Sequence, residues 1–512
     1  MGKICRASYG LFYKSVKSIL NLISKEPLFL LAILLFLTAK GHLEIIDTDY
    51  SVRTALAIIE DGSLLIEPVD PRVVHRFPKI NGTDKIYSQY GIGLAIIFIP
   101  LVVVGKLIAF FTSIDQRVFI DFILSFYNVP FALLGLYFFR SILLHFEITH
   151  RRANICMILL FTCTAYWKYS VTDFSEITQI CFLLGAVNSS LSKNSKKWKW
   201  VSFWCALLVA VKLVYVALLP LFFGYAMFQS RNSLNQKAFI SRCLDFSSFL
   251  LPMGIFLALL NFLRFGSIFE SGYGSEASSF SLQFLQRDWL DYLISFERGI
   301  FPFNPILLFS VLGCFFLPKD KIRFFLFIGS VTFFWYLLMC FWKSYLGGYC
   351  WGNRLLVPII PFCFIPFAFL PFDKRLVRIS VSMVILFSSF IQVSAVFTKI
   401  HETSVLRSKI YEETGLHTPP QLISTFHVFT HKLSNDSTHI PASVLGVDTD
   451  SIIDLSNFES FYGFNLWPIH ALKFLGLQSL CYPLSLILLG TVLLVVVLLF
   501  HSNFKQYRNQ QL

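Results

Sequence analysis

Solid apolar runs separated by short polar clusters recur from Pro27 to Phe500. A helix needs about 20 apolar residues to cross a hydrocarbon core of about 30 Å. The runs lack the alternation of a transmembrane β-barrel, so they predict spanning helices. Compatible spans are roughly 27–43, 118–143, 154–169, 174–192, 245–263, 301–317, 322–342, 355–371, 376–397 and 475–500. Residues 199–231, interrupted by Lys212 and Pro220, fit two more short spans. The expected fold class is an all-α polytopic membrane protein with about 12 transmembrane helices.

The polar clusters orient these spans. Lys3, Arg6, Lys14, Lys17 and Lys25, then Arg151–Arg152, Lys193–Lys199, Arg231–Arg242, Lys319–Arg323, Asp373–Arg378 and Lys505–Arg508 fall between them. The positive-inside rule assigns all of these, and both termini, to the cytoplasm. The first run has no small-residue cleavage site behind it and is expected to be retained. The run at 91–112, beginning GIGLAIIFIPLVVVGKLIAFF, would invert every later cluster if it crossed. It is expected to be an outer juxtamembrane or re-entrant helix interrupted by Pro100 and Lys106. Three parts follow: a core over 1–397 whose first outer loop is 44–117, an outer appendage over 398–474, and a last span and tail over 475–512.

Composition agrees with this reading. The chain is 55% hydrophobic and only 14% charged, against about 25% charged in soluble proteins. The net charge of +13 lies in the cytoplasmic clusters, so no nucleic-acid partner is implied; membrane lipids are. Cys156, Cys163, Cys181, Cys205 and Cys340 sit inside apolar runs without a C-x-x-C pair. They read as small apolar side chains, neither a disulfide framework nor a zinc site. His401, His417, His427, His431 and His439 lack metal-ligand spacing, and no metal or cofactor is expected. Asn81 and Asn435 have the form of glycosylation acceptors.

Candidate chemistry lies on the outer face. In LEIIDTDYSVRTALAIIEDG, Asp47 and Asp49 are expected to cap an amphipathic helix with an apolar side of Ala55, Leu56, Ile58 and Ile59. Plain capping explains them, but Asp173 and Glu176 in YSVTDFSEITQ face the same surface. Ionisable groups near membrane depth are costly and point to function. Acids from two outer loops suit a general base beside an acceptor hydroxyl or amine. Arg354 in SYLGGYCWGNRLLVP, Lys212 in AVKLVYV and Arg298 in FERGIFPFNP are either structural ion-pair partners or holders of a lipid-carrier phosphate. KIYSQYGIGLAIIFIP offers Tyr87, Tyr90 and Gly91 as an interfacial groove where a substrate meets backbone.

Together these segments resemble the C-type (GT-C) membrane glycosyltransferases, in the branch of protein O-mannosyltransferase-like and lipid A aminoarabinose transferase-like proteins. The likeness runs from about 27 to 371. It is carried by Asp47 with YSVRTALAIIEDGS, YSQYGIGLAIIFIP, DFSEITQ, RFGSIFESGYGSE, FERGIFPFNPILL and GGYCWGNRLLVPIIPF. Thr48 stands where the branch has a second acid, and no proline follows Tyr90 or Glu176.

The resemblance implies a polyprenyl- or dolichyl-phosphate sugar donor used at the outer face of a bacterial inner membrane, and a lipid, glycan or protein acceptor. It implies Asp47, or Asp49 if the register slips by two, as base of an inverting displacement. Asp173 or Glu176 would orient the acceptor, and Arg354, Lys212 and Arg298 would hold the carrier phosphate. A transporter or lipid flippase is the alternative, although the chain shows no half-to-half repeat. An inactive family member is a third.

Overall fold

The computed structural model describes residues 27–67, 85–229, 236–273, 279–343, 347–433 and 463–509. The N-terminal basic cluster, Asn81, Asn435, His439 and the middle of the 398–474 appendage lie outside these residues.

The chain opens with α1 (Pro27–Thr38) and α2 (Ile46–Asp61), then β1 (Leu65–Ile66) and β2 (Ile86–Tyr87). Next come α3 (Ile92–Phe110), α4 (Gln116–Leu124), α5 (Asn128–His145), α6 (His150–Thr162), α7 (Tyr166–Ser170), α8 (Glu176–Leu191) and α9 (Lys197–Val211). A 3-10 turn at Leu213–Leu218 leads to α10 (Leu219–Gln229) and the long α11 (Gln236–Phe265). They are followed by α12 (Leu282–Ile294), α13 (Ile300–Phe303), α14 (Leu307–Gly313) and α15 (Ile322–Cys340). The C-terminal third holds α16 (Ile360–Phe364), α17 (Arg375–Phe397), α18 (Ile400–Thr414), α19 (Gln421–Lys432), α20 (Trp467–Phe474) and α21 (Cys481–Asn509).

Among the described residues, six helical stretches are long and apolar enough to cross a membrane: Ile92–Phe110, Gln116–His145, Phe239–Phe265, Lys319–Cys340, Arg375–Phe397 and Gln478–Phe500. This is an integral membrane protein. Several other expected spans are shorter helices. The 355–371 run becomes 3-10 helix at Arg354–Ile359 and Ile365–Phe369 around α16, because Pro358, Pro361 and Pro366 supply no N–H to an α-helical ladder. The 199–231 run breaks at Lys212, whose backbone is extended between α9 and the 3-10 turn.

Helices α5, α8, α9 and α11 pack in sequence across the bundle. Trp204 of α9 lies against Phe138 of α5 and Phe182 of α8, and elsewhere Tyr225 of α10 stacks on Phe327 of α15 at 4.1 Å. The run at 91–112 is a regular helix, α3, despite Pro100. It lies along α2 and α4 and meets α9 at its first turn. Lys106 does not interrupt it but pairs with Glu60 of α2. The departure from an all-α chain is small: β1 and β2 form one antiparallel pair, Leu65 opposite Tyr87 and Ile66 opposite Ile86.

Candidate functional site

Helix α2 begins without a cap of its own. Ile45 occupies the N-cap position and has no side chain able to accept a hydrogen bond. Asp47 and Asp49, expected to cap it, lie in the first turn with their carboxylates engaged elsewhere. The loop before α8 takes over that task. Asp173 accepts from the backbone N–H groups of Glu44 (3.1 Å) and Ile45 (3.0 Å), and the Thr48 hydroxyl donates to the Asp173 carbonyl at 2.5 Å. Thr48 therefore links two loops that an ionised second acid at its position could not join in this way. The same loop is held from α5. The Tyr127 hydroxyl donates to the Phe174 carbonyl (2.8 Å), and the Asn128 amide donates to the carbonyls of Thr172 and Phe174 (2.7 Å each). Burial and the nearby Glu44 carboxylate push the Asp173 carboxyl up to about 8, against the two N–H donors.

Fixed in this way, α2 presents Asp47 between two donors. The Tyr90 hydroxyl reaches Oδ1 at 2.7 Å and Arg354 Nη1 reaches Oδ2 at 2.9 Å. Burial alone would raise this carboxyl. The Arg354 charge and the Tyr90 and Arg354 hydrogen bonds overcome it and hold the group below its ordinary value. The Arg354 guanidinium lies over the Phe174 ring at 5.1 Å, and its buried Nε has no partner among the described residues. Beneath it, Trp335 stacks on Tyr215 at 4.3 Å and donates to the Leu355 carbonyl.

A second pair stands beside the first. Glu176 opens α8 almost fully buried, with Oε1 3.9 Å from Lys212 Nζ and Oε2 unpartnered. The four charges of Asp47, Arg354, Glu176 and Lys212 lie within electrostatic reach of one another. This cluster offers a carboxylate with a neighbouring cation, a second carboxylate with a free oxygen, and a guanidinium with a free N–H. Such groups can take a proton and receive an anion in one place.

The other candidates separate from it. Asp49 is held by Arg53 at 3.0 Å and by Arg117 of α4. Both Asp173 oxygens accept from backbone N–H groups, so it braces the loop. Arg298 turns to backbone: Nη1 donates to the carbonyls of Cys350 (2.9 Å) and Gly352 (2.8 Å), shaping the turn before Arg354, while its buried Nε has no partner among the described residues. Gly91 does not open a groove for substrate; a Cβ there would sit 2.4 Å from the Val211 carbonyl oxygen, so the position admits the end of α9. Tyr87 packs edge-on to Phe265 at 6.1 Å, and only Tyr90 of that segment enters the cluster. Unanticipated from the sequence is Gln421, the fully buried first residue of α19. It accepts from Gly352 N–H (2.9 Å) and donates to the Cys350 carbonyl (2.7 Å). A polar residue after two prolines reads as a turn, and nothing in the sequence marks so distant a partner. No described group of three or more His, Cys, Asp or Glu side chains could hold a metal ion.

No family model matches the chain, and neither does any curated protein. Among solved structures it is similar to ArnT from Cupriavidus metallidurans bound to undecaprenyl phosphate, with a TM-score of 0.49, 11% identity, and 96% of this chain and 78% of that one covered. The apo state of ArnT gives a TM-score of 0.46 and 12% identity over 98% and 78%. Archaeal oligosaccharyltransferase AglB from Archaeoglobus fulgidus, in complex with an inhibitory peptide and a dolichol-phosphate, gives 0.40 and 12% identity over 75% of this chain and 54% of its own.

Proposed function

We propose that this protein is a GT-C-type membrane glycosyltransferase. It moves a hexosyl or pentosyl group from a polyprenyl- or dolichyl-phosphate donor to a lipid, glycan or protein acceptor at the outer face. The observation that carries this reading is the meeting of Asp47, Tyr90, Glu176, Lys212 and Arg354, drawn from five separate segments, in one cluster. The resemblance in the sequence supports it independently. About twelve crossings with both termini cytoplasmic belong to the same reading.

The acceptor O–H or N–H gives its proton to Asp47 as its heteroatom attacks the anomeric carbon. The bond from that carbon to the carrier phosphate oxygen breaks with inversion, and the phosphate leaves with the electron pair. Arg354 supplies a planar fork to the departing phosphate and Lys212 a point charge, which stabilises negative charge as it develops. Tyr90 steadies the Asp47 carboxylate, and the free oxygen of Glu176 accepts from a second acceptor group. Asp173 acts through the backbone by fixing the start of α2.

Membranes carrying the wild type are expected to transfer label from a radiolabelled polyprenyl-phosphate sugar, and those carrying Asp47→Asn at equal protein level to transfer about 10²–10⁴-fold less, the usual size of a lost general base. Equal labelling would remove Asp47 from the mechanism. Transport of the intact lipid without transfer would favour a flippase.

A further inference from the structure

The residues that lead into Arg354 form a loop of unusual freedom. Gly347, Gly348 and Gly352 all take positive φ, at 61°, 85° and 58°, a region open to glycine at little cost. Side chains from outside hold its backbone, and one of them is Tyr169, whose hydroxyl donates to the Trp351 carbonyl at 2.8 Å. Arg298 binds the carbonyls of Cys350 and Gly352. Gln421 pairs its amide with Gly352 N–H and the Cys350 carbonyl, on both sides of the buried Trp351, as a neighbouring strand would. The backbone N–H of Gln421 donates in turn to Glu297 at 2.8 Å. Glu297 also receives both Arg407 nitrogens, at 2.9 and 3.0 Å, from α18.

We infer that Gln421 is a positioning residue for Arg354. The outer segment formed by α18 and α19 uses this one amide to fix where the guanidinium stands relative to Asp47 and to the carrier phosphate. The inference rests on the proposed function, because it gives Arg354 the phosphate to hold. Its physical basis is that a chain with left-handed glycines on either side of Trp351 has little stiffness of its own. Losing the Gln421 pair frees Gly352 N–H and lets Arg354 wander, and a misplacement of about 1 Å at such a group can cost up to about a hundredfold.

The test measures binding of a polyprenyl phosphate to the purified full-length protein in nanodiscs, for wild type, Gln421→Met, Arg354→Gln, the double variant and Arg407→Ala. Gln421→Met is nearly isosteric and cannot make either hydrogen bond. It is expected to bind about tenfold more weakly, and to add nothing further in the Arg354→Gln background, since a group acting through Arg354 has no effect once Arg354 is gone. Arg407→Ala, which loosens the same outer segment without touching the Gln421 amide, is expected to bind as wild type does. Should Gln421→Met not yield folded protein, Gln421→Glu, which keeps the acceptor for Gly352 but loses the donor to Cys350, is read in the same way. Wild-type binding with Gln421→Met unaffected, or with losses that add in the double variant, overturns the positioning role alone. A wild type that does not bind the lipid phosphate overturns the carrier reading and this inference with it.

Discussion

On one side of the Asp47–Arg354 pair, the start of α2 is pinned by Asp173 on two backbone N–H groups, by Thr48 on a carbonyl, and through that loop by Tyr127 and Asn128. On the other side, Arg354 follows a loop with three left-handed glycines, held by Tyr169, Arg298 and Gln421 from outside. The acid therefore stands on a rigid frame and the cation on an adjustable one. A group that takes a proton along a fixed line gains from being rigid, because its alignment is set before reaction. A cation already bonded to that acid must yield part of its bonding when a phosphate arrives, and some freedom in its loop permits this.

The strongest way to break the comparison is to remove the cation. Arg354→Gln is expected to lower transfer by about a hundredfold, as the loss of one charge-stabilising donor does elsewhere. It also changes the pH profile. In the wild type Arg354 and Tyr90 hold Asp47 below the ordinary carboxylate value near 3.9, so Asp47 stays ionised as pH falls to that value and the acid limb of kcat/KM lies below it. Without Arg354 the burial that raises the carboxyl is less opposed, and the limb moves upward. A limb that stays in place while the rate falls would mean that Arg354 acts on substrate without tuning the base.

The frame under the acid is tested next, through stability. In Asp173→Asn one carboxylate oxygen becomes an NH₂ facing a backbone N–H, donor against donor. The expected loss is about 1–2 kcal/mol, comparable to a lost helix cap. The wild-type group also gives a pH signature. Its carboxyl is raised to about 8 in the folded protein and is near 3.9 when unfolded. As pH rises between these values the unfolded chain releases its proton first, so this group makes the fold less stable over that window, and below it the cost is absent. Thermal unfolding of Asp173→Asn should lack that slope. A parallel pH dependence in both proteins would show that Asp173 is ionised throughout.

The hydrophobic pattern made the helical membrane class legible, because apolar runs in a membrane protein have few ways to satisfy their backbone. It was silent on the short 3-10 segments, where three prolines reset hydrogen bonding inside one apolar run. The charged cluster was legible only in part. Asp47, Glu176, Lys212 and Arg354 stand out as charges beside apolar runs, and they meet. Arg298 and Asp173 stand out equally, yet both bind backbone groups of other loops. Spacing along the chain cannot distinguish a charge that joins a cluster of charges from one that ties two loops together. Gln421 shows the converse, an ordinary residue whose partners lie in the loop before Arg354.

The smallest effect is expected at Asp49, and it tests the register of the whole site. Two residues along a helix turn a side chain by about 200°, so Asp49 faces away from Asp47 toward Arg53 and Arg117. Arg53 and Arg117 are each one-third exposed, and pairs of that kind contribute about 0–1 kcal/mol. Asp49→Asn should keep transfer within a few-fold of wild type, and Asp47→Asn/Asp49→Asn should match Asp47→Asn alone. If Asp49→Asn instead fell as far as Asp47→Asn, the carboxylate that takes the proton would sit one register step further along α2. Tyr90 and Arg354 would then be holding the wrong acid, and the contrast between a rigid base and a movable cation would have to be rebuilt around Arg53 and Arg117.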